Sequence, residues 1–125
     1  MPSIFRSKKV DDGTKPTRYY STKQEKAIEK ATGGKRTPNS GATMFMPGDV
    51  TLENWLLEAK TCTKEQKSFS IKEEWFTKNK DESILAGKEY TAVVFNFGPD
   101  KPNYYIIDEI TFKELLDYQE KSLIN

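Results

Sequence analysis

The residues best suited to chemistry are two carboxylates and an amine. Asp49 follows a Pro47-Gly48 break, eight residues separate it from Glu58, and Lys60 comes after Glu58 with only Ala59 between. Strand alternation puts Glu58 and Lys60 on one face and Ala59 on the other. Leu52 to Asn54 reads as a tight connection between two short antiparallel strands, a turn that brings Asp49 beside Glu58 at one edge of the sheet. Hard divalent cations such as Mg²⁺ take oxygen ligands, commonly one or two carboxylates with water and substrate phosphate filling the rest. Such an ion activates water, while an ammonium steadies that water or the charge growing on the phosphate. The same residues equally suit the solvated face of a hairpin in a chain this rich in charge.

Composition narrows the chemistry. Histidine is absent, which removes Ser-His hydrolases, Cys-His zinc sites and His-based metal nucleases. Cys62 is the only cysteine, so no internal disulfide forms, and a reducing cytoplasm is expected. No stretch has the length of a membrane helix, and the N-terminus lacks the apolar run of a signal peptide. At 125 residues and 35% hydrophobic content, the chain suits one domain with a single core. Residues 1–40 carry ten Lys and Arg against four Asp and Glu, and residues 41–125 carry ten against fifteen. A basic front half suits contact with a polyanion. A basic tail without a specific partner is the competing explanation for residues 1–18, which read as a flexible arm ahead of a domain over 19–125.

The elements that position the candidates follow from periodicity and punctuation. A helix is expected from Ser21 to about Ala31, opened by a capping box of Ser21 with Gln24 or Thr22 with Glu25, and closed at Gly33-Gly34. Glu25 is then either a capping residue or a further acid aimed at the site. The stretch from Gly33 to Ala42 reads as a loop, and its Lys35, Arg36, Asn39 and Ser40 could wrap a phosphate. A strand over 42–46 is a further option. A second helix is expected from Ser70 or Ile71 to Lys80, capped by Ser70 with Glu73, with Ile71, Trp75 and Phe76 on its apolar face. Tyr90–Phe97 and Tyr104–Asp108 read as a strand hairpin. A last helix begins at Thr111, capped by Glu114, with Phe112, Leu115, Leu116 and Tyr118 facing the core. Together these give an α/β fold with a mixed central sheet flanked by helices.

The pattern Gly48-Asp49, eight residues, then Glu58-Ala59-Lys60 resembles the PD-(D/E)XK nuclease superfamily, with Gly in place of the common Pro before the acid. Adding the helix Glu25 and the basic Gly/Ser loop, the order is similar to that of archaeal-type Holliday-junction resolvases. The resemblance spans roughly residues 21–72. It implies a restriction-endonuclease-like core, with Asp49, Glu58, Glu25 and the Ala59 carbonyl as metal ligands and Lys60 at the attacking water. By position it makes Arg36 and Ser40 candidates for catalysis or backbone binding. Lys72 and Gln66 are candidates for a supporting polar group, although ordinary surface chemistry accounts for both.

The function expected is a Mg²⁺-dependent DNA endonuclease, with Mn²⁺ substituting, selective for branched DNA and acting as a homodimer. Such a small chain would suit a phage or other mobile element. The alternatives are a non-catalytic DNA-binding module, and an end-processing or restriction-type nuclease using the same site.

Overall fold

Glu58 and Lys60 lie on the middle strand of a five-stranded sheet. The computed structural model describes residues 15–37 and 49–124. In chain order the elements are α1 (Thr17–Thr32), β1 (Lys35–Arg36), β2 (Val50–Thr51), β3 (Trp55–Lys60), α2 (Glu73–Ala86), β4 (Tyr90–Phe95), β5 (Tyr104–Ile106) and α3 (Glu109–Ile124). The strands sit in sequence order across one open sheet. β1 to β3 form an antiparallel meander, β3 and β4 run parallel, and β5 returns antiparallel to β4. A parallel pair needs a crossover, and α2 supplies it. The described residues therefore form an α/β fold, a mixed sheet with three helices. No helix among the described residues is long and apolar enough to cross a membrane.

Alternation along β3 sorts its side chains between two layers. Trp55, Leu57 and Ala59 join Ile28 of α1 and Val50, Ala92 and Val94 in one apolar cluster. Each fully buried aliphatic side chain there contributes roughly 1.5–3 kcal/mol. Leu56, Glu58 and Lys60 turn to the opposite face, where α2 lies. The Asn79 side-chain amide on α2 donates to the Leu56 and Ala92 carbonyls at 3.4 and 3.3 Å, one on each parallel strand. On the α1 side, the Gln24 amide donates to the Lys60 carbonyl at 2.8 Å. It also lies 3.4 Å from the Val94 carbonyl. The carboxyl ends of β3 and β4 are thereby tied to α1.

Several local expectations give way to tertiary burial. α1 begins at Thr17, inside the stretch expected to be an arm, with Pro16 before it and no side-chain cap. Burial of Tyr20 and Gln24 in the first turns explains the longer helix. Neither expected capping box forms: Ser21 Oγ donates instead to the Arg18 carbonyl at 3.2 Å, and Gln24 and Glu25 are buried in mid-helix. Gly33 does close the helix, at φ 80°. Lys35 and Arg36, expected in a loop, form the edge strand β1. α2 starts at Glu73, after the expected Ser70 cap, and its buried residues are the polar Asn79 and Ser83. Ile71, expected on its apolar face, precedes the helix and is exposed. The Leu52–Asn54 turn and the β4–β5 hairpin match expectation. β3, however, is the centre of the sheet and not its edge. α3 starts at Glu109, with Asp108 Oδ1 and not Thr111 accepting at its N-terminus, at 2.8 Å from the Thr111 N–H. The expected strand over 42–46, the loop residues Asn39 and Ser40, and residues 1–14 of the expected arm lie outside the described residues.

Candidate active site

Pairing of β2 with β3 sets the site. Val50 stands opposite Leu57, so the next step along the ladder brings Asp49 opposite Glu58. The Asp49 N–H donates to the Leu57 carbonyl at 3.0 Å. Asp49 Oδ2 in turn accepts the Ala59 N–H at 2.8 Å. The aspartate is thus fixed at both backbone and side chain against the Glu58-Ala59-Lys60 segment. Behind it, the Thr37 N–H donates to the Asp49 carbonyl at 3.1 Å, which ties the end of β1 to the same point.

Glu58 and Lys60 share the α2 face, as their spacing requires. Lys60 Nζ lies 3.3 Å from Glu58 Oε2 and 4.8 Å from the centre of the Trp75 ring. An ammonium held between a carboxylate and an indole face has a defined direction. From the other layer, α1 presents Glu25, only 6% exposed. Four residues on, Glu29 accepts the Arg36 N–H at 2.9 Å with one oxygen and pairs with Arg36 Nε at 3.1 Å with the other. One carboxylate therefore fixes both the backbone and the side chain of Arg36.

The acids carry raised pKa values. Burial, and then the Asp49 charge, push Glu25 up to about 7, while Arg18 and Arg36 oppose the rise and Glu29 adds to it. Burial followed by Asp49 pushes Glu58 up to about 6, against the pull of Lys60 and with a further push from Glu82. Asp49 is also raised, by burial first and by Glu82, with the Ala59 hydrogen bond and Lys60 opposing. Asp49 is common to both pairs. Buried carboxylates that repel one another in a cleft are frequent at functional sites.

The cation question turns on number. Among the described residues, no group of three or more Asp, Glu, Cys or His side chains could hold an ion. Asp49 and Glu58 form a pair instead, and Mg²⁺ is ordinarily held by one or two carboxylates with water and substrate phosphate completing the shell. The mutual repulsion of the pair suits that arrangement. Glu25 acts on Asp49 from the opposite layer.

Of the expected site residues, the fold gathers Glu25, Arg36, Asp49, Glu58, Ala59 and Lys60. Lys35 is exposed on β1. Lys72 stands just before α2 with an exposed side chain, and Gln66 is exposed with its N–H donated to the Phe97 carbonyl at 2.8 Å. Neither side chain has an ion pair or hydrogen bond with these carboxylates among the described residues. Four contributors had not been singled out: Gln24, Glu29, Trp75 in its role over Lys60, and Glu82. Helical spacing carried a signal for Glu29, four residues after Glu25 and so on the same face. Glu82 lies beyond the expected end of its helix. In comparisons with known proteins, no family model, curated protein or solved structure matched the chain.

Proposed function

We propose that this protein is a Mg²⁺-dependent endonuclease of the PD-(D/E)XK kind, hydrolysing phosphodiester bonds of DNA, with branched DNA as its preferred substrate. The observation that carries the reading is the Asp49 carboxylate bonded to the strand that presents Glu58 and Lys60. Support also comes from the element order: a helix with a buried acid, a three-strand meander, and a crossover helix to a parallel strand. The carboxyl ends of parallel strands are where open α/β sheets commonly bind ligands.

Each residue has a stated task in this reading. Asp49 and Glu58, with the Ala59 carbonyl, would hold the ion. When bound, it would supply Lewis-acid polarisation of the phosphate and a more acidic water. Glu25 adds negative charge from the α1 side. Lys60 orients the attacking water and stabilises charge on the phosphate oxygens. Arg36, held at Nε by Glu29, turns its remaining guanidinium edge to a backbone phosphate.

The test incubates the protein with four-way-junction, linear duplex and single-stranded DNA, with and without Mg²⁺. The wild type is expected to cut the junction in Mg²⁺. Asp49→Asn and Lys60→Ala are each expected to lose at least about 100-fold in rate while retaining DNA binding. Cutting of linear ends or duplex in preference to the junction would identify an end-processing or restriction-type enzyme. A second reading, a DNA-binding module without catalysis, is favoured by the lack of a three-acid cluster among the described residues. Metal-independent binding with steep salt dependence, and no cutting of any substrate in Mg²⁺ or Mn²⁺, would select it.

A further inference from the structure

Lys60 starts a row of side chains that runs across the sheet to its far edge. Register pairs Lys60 with Phe95 on β4 and Phe95 with Tyr104 on β5, so all three stand on the α2 face. The Phe95 and Tyr104 rings lie 5.6 Å apart and stack at 28°. Phe97, two residues on, meets both edge-on, at 5.2 Å from Phe95 and 5.7 Å from Tyr104. Phe69 closes the row from the segment before α2, 5.1 Å from Phe95 and 6.1 Å from the Trp75 ring that lies over Lys60. Asn79 ties α2 over β3 and β4, whereas β5 is the edge strand. Tyr104 there is 50% exposed, and Phe69, Phe95 and Phe97 are half-buried.

Charge distinguishes this row from ordinary core packing and indicates what it meets. Residues 61–72 carry Lys64, Lys67 and Lys72 against Glu65 alone, and Glu65 is paired with Lys101 at 3.4 Å. The backbone of this segment is fastened to the aromatic row. The Gln66 N–H donates to the Phe97 carbonyl at 2.8 Å, and a methyl group at Gly98 would meet Glu65 Cα at 2.7 Å. Lys64 and Lys67 flank that anchor, both exposed and without an ion pair among the described residues. Flat rings beside unpaired ammonium groups are complementary to bases on a phosphate backbone, since every base has a π-face and every phosphate a charge. A duplex hides those faces in its own stack, so the complementary ligand is an unpaired stretch. From β3 to β5 is about 10 Å, the span of about three stacked bases.

We propose that the Phe95–Tyr104 row is a stacking platform for unpaired nucleotides beside the cutting site, with Lys64 and Lys67 on their phosphates. The platform rests on the DNA-cutting reading and narrows its substrate: the strand that reaches Lys60 is single-stranded next to the scissile bond. Tyr104 takes the outermost base, and Phe95 supports its ring.

Fluorescence anisotropy in metal-free buffer tests it, with a labelled oligothymidylate and the same strand made abasic, which keeps the phosphates and removes the bases. The wild type is expected to bind the thymidine strand about tenfold more tightly than the abasic one. Tyr104→Ala is expected to lose that preference and Tyr104→Phe to keep it, with circular dichroism confirming each fold. Lys64→Gln combined with Lys67→Gln is expected to weaken both strands alike and to flatten the salt dependence. No binding of either strand, equal affinity for the two, a folded Tyr104→Ala protein that still prefers thymidine, or unchanged salt dependence in the lysine variant would each overturn the proposal. Junction cutting in Mg²⁺ is scored separately. Cutting without a preference for bases keeps the nuclease reading and rejects the platform, whereas base preference without cutting keeps the platform as part of a DNA-binding module and rejects the nuclease.

Discussion

Asp49 is shared between two layers: it repels Glu58 on the α2 side and Glu25 on the α1 side, and the Ala59 N–H holds it in place. The consequence for pH is definite in sign. Glu25 rises from an ordinary 4.5 to about 7 and Glu58 to about 6. Between pH 4.5 and these values the folded protein holds protons that the unfolded chain has released. The associated stability is present at low pH and is lost as pH climbs through the window, levelling off above about 7. Arg18, Arg36 and Glu29 around Glu25, and Lys60 and Glu82 around Glu58, set the size of the effect. Glu25→Gln imitates the protonated acid. Its melting temperature in metal-free buffer is expected to match the wild type near pH 5 and exceed it by roughly 3–6 °C near pH 8. A variant that melts lower at both pH values would show that the Glu25 charge stabilises the fold. For the proposed reaction the sign reverses: a site that needs ionised acids is expected to gain activity as pH rises from about 6 to 8.

Among the elements, β1 and β2 show how backbone spacing serves the site. A methyl group at Gly34 would meet Val50 Cγ1 at 2.8 Å and the Thr51 carbonyl oxygen at 2.9 Å. Gly33 supplies the left-handed turn that ends α1, and Gly34 lets the next strand approach β2. Gly34→Ala is expected to destabilise the protein by about 1–3 kcal/mol. Under the proposed function it should also weaken DNA binding, since Arg36 lies on β1 and Asp49 immediately precedes β2, the two strands forced apart. Thermal denaturation and a binding titration check both. The alternation of Glu58 and Lys60 and the two hairpins were legible in the sequence because period and turn chemistry are local. The burial of Gln24, Glu25 and Asn79 was not, because an amide bridging two strand carbonyls leaves no local pattern. The capping boxes misled for the same reason: Ser21 and Thr22 had suitable partners in sequence, but burying Tyr20 and Gln24 extended the helix past them. Likewise, a two-residue strand such as Lys35–Arg36 has too little period to distinguish it from a loop.

At the scale of the whole molecule, the acids come from three elements: Glu58 from β3, Asp49 from the residue before β2, and Glu25 from α1, with Arg36 on the edge strand β1. The excess of positive charge over residues 1–40 adds attraction for a polyanion, so binding is expected to weaken steeply with salt. Asp49 and Glu58 are proposed to hold a divalent ion jointly, and anomalous diffraction from crystals soaked in Mn²⁺ tests that proposal. A peak is expected within coordination distance of both carboxylates and of the Ala59 carbonyl, and it is expected to be absent in crystals of Asp49→Asn. Fully soaked wild-type crystals with no peak there, and with the Lys60–Glu58 pair undisturbed, would contradict it.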